Sequence, residues 1–188
     1  MKIAIVYHSG FGHTRVVAER IGKSIEEETL PALLYDVTSP AMDLAQLSEA
    51  DTIVFGSPTY FGNVSAEFKK FMESTANIWF HQKWKDKFAA GFTNSSTGNG
   101  DKANTLTSLF TFAAQHSMIW IPLGILPQYD EKGNQKSEPN GLASYVGLMT
   151  MAPNSHKEFS PPDDLITADL FGKRIAAITI KKQKLQRV

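Results

Sequence analysis

Apolar and polar positions follow two rhythms along this chain. Short, nearly unbroken apolar runs at Lys2–Tyr7, Pro31–Val37, Asp51–Ser57, Phe88–Thr93 and Met118–Leu123 read as strands. The first is apolar at almost every position, as a strand buried on both faces should be. Between the runs, apolar residues recur every three or four positions, the period of a helix with one buried face. Val17, Ile21 and Ile25 mark such a stripe in Thr14–Glu28; Val64, Phe68, Phe71, Met72 and Thr75 mark another in Val64–Thr75. Leu106, Leu109, Phe110 and Ala113 predict a further helix, and Ala168, Phe171, Ile175 and Ile178 a C-terminal one. Ser39-Pro40 has the form of an N-cap followed by proline at the first helical position, opening a short helix to Ala50. Strands alternating with helices predict an α/β fold: a three-layer, doubly wound, five-stranded parallel sheet. No internal repeat or linker divides residues 1–188, so the expectation is a single domain. A long loop insertion at about 124–163, rich in Gly, Pro, Asn and Ser, has the length of a functional segment or one with small structure of its own.

A chain of 188 residues can bury one substantial core. Its 19 Lys and Arg balance 19 Asp and Glu, for a net charge of zero. A protein that holds nucleic acid or an anionic membrane by bulk charge carries a basic excess, so any anion here must be bound by a locally shaped site. The absence of cysteine excludes disulfides, thiolate zinc sites and cysteine nucleophiles, and fits a reducing compartment. The stretch before His8 is too short for a secretory signal. The longest apolar segment, Met118–Pro127, is interrupted by Pro122 and Gly124 and falls short of the ~20 residues of a membrane helix. The expectation is a cytoplasmic protein without a membrane span. The five histidines have no metal-ligand spacing, so no metal is expected. Lys181, Lys182, Lys184 and Arg187 read as a solvated, dipole-matched helix end.

The candidate chemistry lies in three loops. His8-Ser9-Gly10-Phe11-Gly12-His13-Thr14 joins the first strand to the first helix. A helix N-terminus offers unsatisfied N–H groups and a positive dipole end, so it attracts a phosphate without Lys or Arg. Here Ser9 and Thr14 add hydroxyls. The same turn also fits a plain strand-to-helix connection. Two familiar phosphate motifs fail: Arg15 occupies the third glycine position of Gly-x-Gly-x-x-Gly, and Val17 the first glycine of a Walker loop ending Gly22-Lys23-Ser24. Gly56–Asn63 follows the third strand and Ser95–Gly100 the fourth. In a doubly wound sheet all three loops emerge at the carboxyl edge.

In this order and spacing, the three loops and His116 resemble the flavodoxin superfamily, and within it the WrbA-type NAD(P)H:quinone oxidoreductases. The resemblance is continuous from Lys2 to about Pro122 and resumes weakly in Asn140–Lys181. It implies strand order 2-1-3-4-5 and an FMN at the switch point. The phosphate would lie on Ser9, Gly10, Phe11, Gly12, His13 and Thr14. Pro58, Thr59, Tyr60, Phe61, Gly62 and Asn63 would line the isoalloxazine, with Ser95, Ser96, Thr97, Gly98, Asn99 and Gly100 on its other side. It further implies NAD(P)H as co-substrate, quinone-type acceptors, a homodimer or homotetramer, and no nucleic-acid partner. His116 would be the catalytic histidine, and Trp79, Tyr60 and His116 would border the substrate space. His116 equally fits a histidine closing a helix C-terminus, and Trp79 a core or subunit contact with Phe80 and Trp84. The chain departs from the family at Tyr60, where relatives carry Arg, and at Asp101, which reads as an N-cap in place of glycine. The family's Gly-Gly-x-Pro-Tyr-Gly-Ala segment survives only as Asn140–Gly147. An electron carrier of the short flavodoxin kind, or a flavin-binding regulatory protein, are the alternatives; such carriers are strongly acidic, unlike this chain.

Overall fold

The computed structural model describes residues 1–152 and 161–186, with side chains to Lys181. Residues 153–160 of the long segment, His156 among them, and residues 187–188 lie outside the described residues, as do the side chains of the basic cluster beyond Lys181. β1 (Ile3–Tyr7) is buried at every position and pairs in parallel with β2 (Ala32–Asp36) on one side and β3 (Thr52–Tyr60) on the other. β5 (Phe88–Ser95) and β6 (Ile119–Trp120) continue the sheet in the order β2-β1-β3-β5-β6. Counted over the five expected runs, that is 2-1-3-4-5.

Alternate residues feed two cores, as the period of a strand requires. Ile3, Ile5, Tyr7 and Val54 meet Val17, Ile21 and Ile25 of α1 (His13–Glu27) and Phe171 and Ile175 of α6 (Pro162–Gln186). Ala4, Val6, Ile53 and Phe55 meet Phe68 and Phe71 of α3 (Ala66–Ser74) and Leu106, Leu109 and Phe112 of α5 (Lys102–Gln115). Trp84 completes the second core, fully buried, its ring centroid 6.2 Å from that of Phe55.

Several boundaries differ from those expected. α2 (Leu44–Ser48) starts well after Pro40, because the Asp43 carboxylate accepts the Ala45 N–H at 2.7 Å and is the cap that forms. β3 runs through Pro58 to Tyr60. Its pairing with β1 ends at Gly56, so beyond that point one side of β3 has no ladder for a proline to interrupt. A short antiparallel return, β4 (Asn63–Val64), occupies the start of the expected helix. α3 then begins behind Ser65, whose hydroxyl accepts from Phe68 N–H, and α4 (Ala76–Phe80) follows Thr75.

The largest difference is in the fifth strand. β6 pairs only with Phe88 and Ala89, the chain leaves the sheet, and it returns as β7 (Leu148–Met151) beside Phe92–Ser95 of the same β5. The long segment is therefore an excursion inserted into the last strand, and part of it is strand where only loop was expected. Asn140 holds it together: the side chain donates to Ile125 O and Ser144 O and accepts from Ser144 N–H, all within 2.9 Å.

Candidate functional site

Because β1, β3 and β5 run in parallel, the loops after them share one edge of the sheet. Named hydrogen bonds lock them together. His8 N–H donates to Gly56 O at 3.0 Å. Thr14 Oγ1, buried, donates to Asn94 Oδ1 at 3.0 Å, linking the start of α1 to the end of β5. Asn104 of α5 donates to Gly62 O at 2.7 Å.

The first turn is built to stay open. Gly12 is the N-cap of α1 at φ 92, a left-handed conformation that glycine adopts without strain, and has no side chain of its own to cap the helix. A Cβ there would meet nothing within 4 Å. The first N–H groups of α1 thus keep the orientation of a helix end without intrahelical acceptors. Ser9 Oγ accepts the Arg15 N–H at 3.1 Å and closes the turn from outside. His8 Nδ1 and His13 Nδ1, both shielded and flanking this turn, have no partner among the described residues. Tyr60 stands over it: a Cβ on Gly10 would lie 2.8 Å from the Tyr60 hydroxyl. Burial pushes that phenol's pKa up, so it is a protonated donor at neutral pH. Phe61, at φ 48, is fully exposed, and Phe11 is 64% exposed. Two aromatic faces therefore border the turn and the 58–63 loop.

The third loop has a support that sequence reasoning did not single out. Lys102, first residue of α5, is completely buried, and its ammonium donates to Ser95 Oγ at 3.0 Å and to Thr97 O. Burial lowers its pKa to about 8, against the attraction of Asp164. Asp164 is itself buried, with its pKa raised by desolvation, and accepts the Met151 N–H of β7 at 2.6 Å. The available signal was a cation in the first turn of a helix, where the dipole disfavours it. Asn94 was also missed; it is the last but one residue of β5, where burial at successive positions gives no periodic cue.

Within this chain His116 is not brought to this edge. His116 is the C-cap of α5, about 20 Å along the axis from Lys102. It is 4% exposed, its Nε2 is 3.0 Å from Thr75 Oγ1, and its ring lies against Trp84 and Phe112 at centroid distances of 4.5 and 4.8 Å. Burial pushes its pKa down to about 4, so it is neutral. Within this chain His116 thus packs in the core, at the end of α5 opposite Lys102. Trp79 lies on α4, where it and Phe80 are exposed, at 48% and 75%; of Trp79, Phe80 and Trp84 only Trp84 is core. Thr59 is buried with its hydroxyl 2.8 Å from those of Thr93 and Thr105, and so faces the α5 interface. Asp101 occupies the N-cap position of α5, in the left-handed region, but its side chain makes no capping bond. A cavity of about 710 Å³ opens between α3 and α5, against Met72 and Phe112, and shares only Asn63 with the loops.

A strand order of 2-1-3 at the switch point, with three tied loops around an open helix end, can be compared with known proteins. Residues 4–123 match the flavodoxin domain. The chain belongs to the flavodoxin family. It is 37% identical to flavodoxin FldP of Pseudomonas aeruginosa over 184 residues, covering 94% of this chain and 96% of that protein. It is 28% identical to an NAD(P)H dehydrogenase (quinone) of Syntrophus aciditrophicus, covering 96% and 98%. The flavodoxin, WrbA-like protein of Agrobacterium tumefaciens superposes with a TM-score of 0.76 at 35% identity, over 96% of this chain and 98% of that one. This flavodoxin-family fold is one α/β domain, and among its described residues no helix is long and apolar enough to cross a membrane.

Proposed function

We propose that this chain is an FMN-dependent oxidoreductase that takes a hydride from NAD(P)H and passes two electrons to a quinone. The observation that carries the reading is the open, glycine-capped N-terminus of α1 between two tied loops with exposed aromatics. The residues fit the cofactor: the unpartnered His8 and His13 nitrogens and the empty space beside Gly12 suit a phosphate. Ser9–Thr14 would hold that phosphate through N–H groups and hydroxyls. Phe61 and Tyr60 would cover one side of the ring, and the N–H groups of 96–100 would approach its pyrimidine edge. The bound flavin supplies the hydride and electron chemistry, while the protein orients and polarises it. The name of the Syntrophus relative supports NAD(P)H and quinone as the two substrates. The exposed Trp79–Phe80 pair suits a contact between subunits of a homodimer or homotetramer, and the cysteine-free composition suits the cytoplasm.

The Pseudomonas relative, named a flavodoxin, favours a second reading as an electron carrier between proteins. One experiment separates the two. The protein is loaded with FMN, made anaerobic, and given NADPH or NADH while the flavin absorbance is followed. Bleaching that a quinone reverses supports the oxidoreductase. Bound flavin that neither nucleotide bleaches supports the carrier, and failure to bind FMN removes both.

A further inference from the structure

A lysine buried at the start of a helix is doubly disfavoured, by desolvation and by the helix dipole. Lys102 meets both conditions, being fully buried at the first position of α5. It is retained by oxygens from two segments. Ser95 Oγ and Thr97 O belong to the loop above it, and Asp164, at the start of α6, attracts it through space. The loop is tight where the lysine holds it: Gly100 is at φ 55, and a Cβ there would come within 2.6 Å of the Thr97 and Ser95 hydroxyls. Ser95 O also accepts the Ala152 N–H at 2.8 Å, joining the loop to the end of β7. By contrast, Ser96, Thr97, Gly98 and Asn99 are exposed.

We propose that Lys102 is the positioning residue of the 95–100 loop: its ammonium pins Ser95 and Thr97 from beneath, so that the loop's N–H groups face outward, and places a fixed positive charge behind them. Resting on the FMN reading above, this charge favours the reduced flavin, which carries its added negative charge at the edge those N–H groups address. Asp164 tempers the effect, because it sets an opposite charge near the same ammonium. The pair thus acts as a built-in setting of the flavin's potential, with the cation dominant because it contacts the loop directly.

The test compares the full-length protein with Lys102→Met, Lys102→Arg and Asp164→Asn. Two readouts are used: amide hydrogen exchange over 96–101 without flavin, and anaerobic redox titration after FMN loading. Lys102→Met is expected to speed exchange across the loop at least several-fold. It should also lower the preference for reduced over oxidised flavin about tenfold, equivalent to about 30 mV for a two-electron couple. Lys102→Arg should restore most of the potential, and Asp164→Asn should shift it the opposite way. Unchanged exchange and potential in Lys102→Met overturn the proposal. A changed exchange rate with an unchanged potential also overturns it, since a structural pin alone would give that. Where Lys102→Met does not fold, Asp164→Asn decides: an unshifted or lowered potential overturns the proposal. A wild-type protein that binds no FMN sinks the flavin reading itself, a result separate from all of these.

Discussion

Single side chains at the site edge do more than one task, and Thr14 shows the consequence. Its hydroxyl is buried and donates to Asn94 Oδ1. Thr14→Val therefore leaves a buried acceptor unpaired as well as removing a hydroxyl from the phosphate turn. The expected outcome is a loss of about 1–2 kcal/mol in urea unfolding, with weaker FMN binding measured by fluorescence quenching. Unchanged affinity with lowered stability would remove Thr14 from the phosphate site. His116 gives a prediction about pH. Its folded pKa of about 4 lies below the ordinary 6.5, so between those values the unfolded chain binds more protons than the folded one. Stability attributable to this histidine is intact above pH 6.5 and declines as pH falls toward 4. Between pH 7 and pH 5 the loss is about 2 kcal/mol. His116→Phe, which keeps a ring between Trp84 and Phe112, should flatten that part of the pH profile; an equal slope in both proteins would refute the assignment. The glycines and hydroxyls of the three loops were legible in the sequence, because small residues after buried strands leave few other readings. The packing of His116 was not: its spacing in sequence matched a family feature, and no periodicity showed that its ring would lie buried against Trp84 and Phe112.

At the scale of elements, the continuous strands were legible wherever burial on both faces imposed an unbroken apolar run, as in β1. The divided fifth strand was not. β6 contributes two residues to the ladder and β7 four, each too short to display a period of two. Met118–Leu123 reads as one strand because Ile121, whose N–H makes the last bond to β5, and Leu123 beyond it both pack into the core. The return of the chain depends on a residue with a polar side chain. Asn140 takes φ 57, which asparagine tolerates better than most residues, and its side chain makes three hydrogen bonds inside the excursion. Its N–H donates in addition to Thr167 Oγ1 of α6 at 2.9 Å. Asn140→Ala should cost about 3 kcal/mol, at roughly 1 kcal/mol for each side-chain bond. The cost should be local: hydrogen exchange of Leu148–Met151 accelerates, while β1 and β3 keep their protection. Uniform acceleration would mean that the excursion is integral to the global fold and not a separately anchored segment.

For the molecule as a whole, the distribution of charge decides how it can recognise an anion. The net charge is zero, so no long-range field draws a phosphate compound in. Two cations beside the loops are otherwise engaged. Lys102 is buried beneath Ser95 and Thr97. Arg15 bonds to the Tyr7 hydroxyl and stands 3.9 Å from Asp36. What remains at the mouth is short-range: N–H groups at the start of α1, the Ser9 and Tyr60 hydroxyls, and exposed aromatic faces. Screening weakens interactions beyond a Debye length of about 10 Å at 0.1 M salt, and leaves contacts at hydrogen-bond distance largely intact. FMN affinity should therefore change by less than about threefold between 50 mM and 500 mM sodium chloride. A carrier that docks on protein partners through complementary charge would lose partner affinity steeply over the same range. Titrating FMN into the flavin-free protein across that series tests the origin of the binding energy. A steep loss would show that exposed cations, and not the glycine-capped turn, hold the phosphate. A flat response would leave the geometry of α1 as its source, and with it the reason a neutral chain can retain an anionic cofactor.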